Sequence, residues 1–101
     1  MDQNITKHLL NIGPGWRPIV EPVLEDIARK GANILQVKEK FGGLRIYTHG
    51  GDYEAVQDMV RGAESAVSHI CEECGKVGSL VNRDGWWITA CIDHAGKANA
   101  E

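Results

Sequence analysis

The sequence predicts an α+β protein: helices packed on a β-hairpin in the order α-α-β-β-α, followed by a small β-hairpin lobe stabilised by zinc, of zinc-ribbon or treble-clef type. Three observations lead there. Apolar residues recur at three- and four-residue steps in three segments, the period changes to two on either side of Phe41-Gly42-Gly43, and the last third holds three Cys and a His in two closely spaced pairs. A chain of 101 residues, 43% hydrophobic and 25% charged, has the size of one domain, 1–101, read here as a body (1–70) and a zinc-binding lobe (71–101). Chains this short hide only about two-thirds of their unfolded surface, so a metal that supplements the core has an energetic reason to be there.

The elements follow in order. Ile5, Leu9 and Ile12 form one stripe of a short helix that Gly13 and Pro14 must end. Val20, Val23, Leu24 and Ile27 keep helical spacing up to Gly31, which suits a C-terminal cap. Because Pro22 lacks an N–H, this second helix is expected to begin near Glu21. Leu35 and Val37, then Leu44 and Ile46, alternate with polar residues around the Gly-rich turn, which predicts a hairpin with those four inward. Its other face would carry Gln36, Lys38, Lys40, Arg45, Tyr47 and His49. Asp52 suits an N-cap for a third helix bearing Val56, Met59, Val60, Ala63, Val67 and Ile70, in which Gly62 marks either close packing or tolerated drift. Ser79–Asn82 and Trp86–Ala90 read as two short strands joined at Arg83-Asp84-Gly85.

Chemistry concentrates in Cys71-Glu72-Glu73-Cys74-Gly75-Lys76 and Cys91-Ile92-Asp93-His94, a C-x2-C-x16-C-x2-H pattern. Two donors separated by two residues reach one ion when a tight turn points both inward, and Gly75 relieves crowding where the amides fold around the first sulfur. The second hairpin would return the chain so that the pairs meet. Three thiolates and an imidazole then close a tetrahedral shell for structural Zn(II), with no position left for water or substrate. A redox Cys pair would leave Cys91 and His94 unexplained, three Cys cannot all form disulfides, and His69 lies too close to Cys71 to be a good competitor for His94. His8 and His49 belong to no such pattern. Trp16, Trp86 and Trp87 are open between core and partner surface, although on a strand Trp86 and Trp87 must point to opposite faces.

The run Gln36 to Tyr47, the Cys71–Lys76 knuckle, and Trp87-Ile88-Thr89 ahead of Cys91 and His94 together resemble a group of small uncharacterised phage and prophage proteins. The resemblance spans residues 36 to 94 and implies a viral or mobile-element setting and a metal site on Cys71, Cys74, Cys91 and His94. It implies nothing about reaction chemistry.

The functional expectation is a non-enzymatic module that binds a host or phage protein through Lys38, Lys40, Arg45, Tyr47, Trp86 and Trp87. Nucleic-acid binding through the hairpin cations is the first alternative. A net charge of −3 and a pI near 5.8 give no global positive field, and in the lobe Glu72, Glu73, Asp84, Asp93 and Glu101 outnumber Lys76, Arg83 and Lys97. A treble-clef nuclease is the second alternative, weakened because residues 72 to 90 hold no His to serve as base. No window approaches the roughly 18 apolar residues of a membrane span, and the N-terminus has no secretory pattern, so a cytoplasmic protein without membrane contact is expected. Self-association is left open.

Overall fold

The computed structural model describes residues 4–95. Its elements are α1 (Ile5–Leu9), α2 (Arg17–Arg29), β1 (Asn33–Lys40), β2 (Gly43–His49), α3 (Tyr53–Val67), β3 (Ser79–Arg83) and β4 (Trp86–Ala90), with each strand pair forming its own antiparallel hairpin. α2 and α3 pack against each other and cover one face of the β1–β2 hairpin. Between these layers lie Val20, Leu24 and Ile27 of α2, Val37, Leu44 and Ile46 of the strands, and Val56, Val60, Ala63 and Val67 of α3. The helical and alternating patterns therefore bury the faces they mark.

Two local expectations are corrected. α2 starts at Arg17, four residues before Glu21, and carries Pro22 inside it. Pro18 fits in the first turn, where an N–H has no helical partner anyway, and Pro22 forfeits a single bond to the Pro18 carbonyl. That loss is offset because the early start buries Val20 and lets the Arg17 side chain donate to the carbonyls of Leu9 (2.9 Å) and Ile12 (3.1 Å), tying α1 down. The end of α2 follows expectation: Gly31, at φ +85°, donates to Ala28, and Ala32 donates to Ile27, the paired bonds of a Schellman cap.

The second correction concerns Leu35, which is 60% exposed and does not enter the core. The register slips between Ile34 and Gln36, so Leu35 is the extra residue of a β-bulge and Ile34 takes the inward position. Beyond the bulge, Val37 pairs with Ile46 and Lys38 with Arg45, as the alternation requires. The turn itself is two residues, Phe41 (φ 55°) and Gly42 (φ +80°), the positive-φ pair of a type I′ hairpin.

Asp52 caps α3, its carboxylate accepting from the Ala55 amide at 3.3 Å. Apart from the backbone of its own helix, nothing lies within 4 Å of where a Cβ on Gly62 would stand, so it serves no close approach to another element. β3 and β4 turn at Asp84 (φ 55°) and Gly85 (φ +88°), a second type I′ pair. A smaller apolar cluster of Cys71, Ala90 and Cys91, flanked by Val81 and Ile88, underlies this hairpin.

Candidate metal centre

The site begins where α3 ends. Beyond Val67 the chain passes Ile70, which bridges to Val77, and the loop between them folds back on itself. The Cys71 amide donates to Lys76 O (2.7 Å), the Gly75 amide to Cys71 O (3.0 Å), and the Gly78 amide to His69 O (2.8 Å). Gly75 sits at φ +84°, where a side chain would be strained, as the knuckle reading requires. The β3–β4 hairpin returns the chain to Cys91, and the His94 amide donates to Cys91 O (3.0 Å), so the second pair also lies on one tight turn.

These two turns face each other. The sulfurs of Cys71, Cys74 and Cys91 and a ring nitrogen of His94 all lie within 4.8 Å of one another. Individual separations are 3.6 Å for Cys74 Sγ to Cys91 Sγ, 3.5 Å for Cys71 Sγ to His94 Nδ1, and 3.3 Å for Cys91 Sγ to His94 Nδ1. None of the three Cys is in a disulfide. Four donors from both ends of the lobe thus form one cluster that can hold a metal ion. His69 is exposed and stands outside the cluster, as do His8 and His49.

The surroundings favour the ligating thiolate at Cys71 but the charged, non-ligating form of His94. Burial opposes ionisation of Cys71, but amides of Cys91, Cys74 and Glu73 overcome it and bring the thiol from 9.0 down to about 6. The sulfurs of Cys91 and then Cys71 draw the His94 imidazole toward its charged form. A metal ion entering the cluster would displace that proton from the ring.

Sequence reasoning missed how the cluster is moored. Trp16, fully buried, donates its indole N–H to Ile70 O at 2.7 Å. Gly15 donates to Glu72 O at 2.7 Å, and its Cα approaches Cys71 so closely that a Cβ would lie 2.0 Å from the carbonyl oxygen. The Gly13-Pro14-Gly15 stretch, expected only to end a helix, is the pad on which the knuckle sits. Glu72 joins it to the second hairpin by donating to Thr89 O (2.9 Å) and accepting from the Thr89 amide (2.8 Å). Burial first, opposed by that amide and reinforced by Glu39, Glu73 and Cys71, pushes the Glu72 carboxyl up to about 7. Thr89, itself buried, donates its hydroxyl to Gly42 O at 2.7 Å, so the first hairpin's tip is bonded to the second hairpin.

The expected partner-binding residues divide. Lys38, Arg45 and Tyr47 lie on the outer face of β1–β2, with Lys38 Nζ 5.8 Å from the Tyr47 ring. Lys40, Trp86 and Trp87 instead line a groove of about 420 Å³ between the two hairpin tips, together with Phe41, Arg83 and Glu39. Neither Trp86 nor Trp87 enters the core: they are 75% and 44% exposed. Phe41 and Arg83 were not anticipated here, since only the tertiary meeting of the two turns brings them together.

Fold and site define a small α+β protein with a three-cysteine, one-histidine cluster able to hold a metal. No family model, curated protein or solved structure matches the chain. Among the described residues no helix is long and apolar enough to cross a membrane. Residues 96–101, where a treble clef would carry its closing helix, lie outside the described residues.

Proposed function

We propose that the chain is a non-enzymatic, zinc-stabilised binding module, in which a structural Zn(II) on Cys71, Cys74, Cys91 and His94 holds the second hairpin against the body and so shapes a recognition surface. The convergence of four donors carries this reading. A tetrahedral zinc with bonds of about 2.3 Å to sulfur and 2.0 to 2.1 Å to nitrogen has edges of about 3.8 Å between sulfurs and 3.6 Å between sulfur and nitrogen. The separations of 3.6, 3.5 and 3.3 Å sit close to those edges and need only a small expansion around an ion. A shell filled by four protein donors leaves no open position for an activated water, which favours a structural role over a nuclease or other metal-dependent catalyst.

A reducing cytoplasm suits the three free thiols, and the phage or prophage resemblance would place that cytoplasm in a bacterial host. The surface that the centre would shape is the groove at the hairpin tips, because Arg83 in its wall donates to His94 O at 2.9 Å. A partner engaging Trp86, Trp87 and Lys40 would therefore sense whether the centre is formed.

The test is metal analysis and thermal unfolding of the intact chain before and after chelation, with a nuclease assay in parallel. One zinc per chain, a large loss of thermal stability on chelation and no divalent-ion-dependent cleavage are expected. A metal-free protein of undiminished stability, or cleavage abolished by His49→Ala, would overturn the reading.

A further inference from the structure

We propose that the groove between the two hairpin tips binds single-stranded nucleic acid. This rests on the binding-module reading above and names its ligand. Phe41, Trp86 and Trp87 line the groove and are exposed, with Trp86 and Trp87, consecutive on β4, turned to opposite faces of the strand. Their exposure has a measurable cost in apolar surface, and their faces are the surfaces on which unpaired bases stack. Paired bases inside a duplex offer no such free face.

The position of Phe41 is the second observation. It holds the first central place of a type I′ turn at φ 55°, which disfavours a bulky side chain and favours Asn or Asp. The other hairpin solves the same turn with Asp84-Gly85 at nearly the same angles. Phe41 is 67% exposed, so packing within the chain does not explain it. Strain retained for an exposed ring marks a contact made with something else.

Charge supplies the third. Lys38 and Arg45 are direct cross-strand neighbours, an arrangement that repels and lowers stability, and Lys40 and Arg83 flank the groove itself. Lys40 Nζ lies 5.6 Å from the Phe41 ring. Glu39 also lines the groove, but its carboxylate accepts the Gly42 amide at 2.6 Å and is engaged in forming the turn. In a chain of net charge −3, two cations, Lys40 and Arg83, line this groove, while Lys38 and Arg45 lie on the outer face of the adjoining hairpin. Rings beside cations match the alternation of bases and phosphates along a strand, whereas an acidic peptide would use the cations and leave the rings uncovered.

The test is fluorescence anisotropy with the full, metal-replete chain and a labelled oligothymidylate or oligouridylate of about 12 nucleotides, a duplex of equal length, and an oligoglutamate peptide. Either single strand should bind in preference to the duplex and the peptide. Two phosphate contacts, at Lys40 and Arg83, predict a log–log salt slope of about −1.4, or roughly 7-fold weaker binding from about 50 to 200 mM salt. Trp86→Ala should weaken binding roughly 5- to 150-fold. Phe41→Asn should weaken it comparably while keeping or raising thermal stability, since Asn-Gly suits the turn. Lys40→Gln should reduce the salt slope by about 0.7. Failure of both strands to bind at about 50 mM salt, equal binding of the duplex, tighter binding of oligoglutamate, or indifference to both ring substitutions would overturn the proposal. Zinc content measured on the same samples separates the readings: intact metal without strand binding sinks this inference alone, and strand binding without metal sinks the structural-zinc reading alone.

Discussion

Gly15 and Cys71 meet backbone to backbone, with space for a hydrogen but not a carbon between them: a Cβ on Gly15 would stand 2.0 Å from the Cys71 carbonyl oxygen and 2.5 Å from the Gly75 amide nitrogen. Both obstacles are main-chain atoms of the knuckle, which cannot swing aside like a side chain. Gly15→Ala should therefore cost about 3 kcal/mol or more and loosen the metal centre, although the position lies far from it in sequence. Thermal unfolding and metal content of the variant check this, and wild-type values for both would show that the loop is not the pad described here.

Gly62 is the opposite case. Apart from the backbone of its own helix, nothing lies within 4 Å of the added methyl, and the residue sits in the interior of α3. Gly62→Ala should stabilise the chain by up to about 1 kcal/mol, a rise of several degrees in Tm, with metal content unchanged. A destabilised variant would mean that α3 packs against a neighbour through this position.

Thr89 tests the bond between the hairpins. Its hydroxyl donates to Gly42 O while the side chain is almost fully buried, so Thr89→Val keeps the shape and leaves that carbonyl without its donor. A loss of about 1 to 2 kcal/mol in urea unfolding is expected. An unchanged midpoint would show that the two hairpins are held together by packing alone.

Leu35 and Leu44 make a paired test of the bulge. Leu44→Ala empties a fully buried position and should cost about 2 to 5 kcal/mol, whereas Leu35→Ala should stay within about 0.5 kcal/mol. Comparable losses at the two positions would place Leu35 in the core and remove the register slip.

Much of this fold was legible because its signals are local. Helical spacing in Val20, Leu24 and Ile27 and in Val56, Val60, Ala63 and Val67, alternation through Leu44 and Ile46, the Asp52 cap and the two Cys/His turns each depend on neighbours within a few residues. Leu35 was misplaced because a bulge shifts the side-chain alternation by one without altering composition, and Ile34 beside it is an equally good inward residue. The start of α2 was misjudged because Pro22 disfavours a helix locally, while the contacts that outweigh it, Arg17 to Leu9 and Ile12, come from the preceding segment. The ligand set could be read from spacing, but the pad under it could not. Gly15 against Cys71, Trp16 against Ile70 and Thr89 against Gly42 are long-range meetings of groups that carry no periodic signal. The groove is of the same kind, since Phe41 and Trp86 belong to different hairpins and share a surface only in the folded chain.

The structural-zinc reading depends on an ion between the two Cys/His turns, so the most direct measurement is the zinc-to-protein ratio of the freshly purified chain by elemental analysis. The proposed function predicts one zinc per chain, on the cluster of Cys71, Cys74, Cys91 and His94, with the ratio falling toward zero in Cys74→Ser. A wild-type chain that is folded yet contains no stoichiometric transition metal would contradict the account.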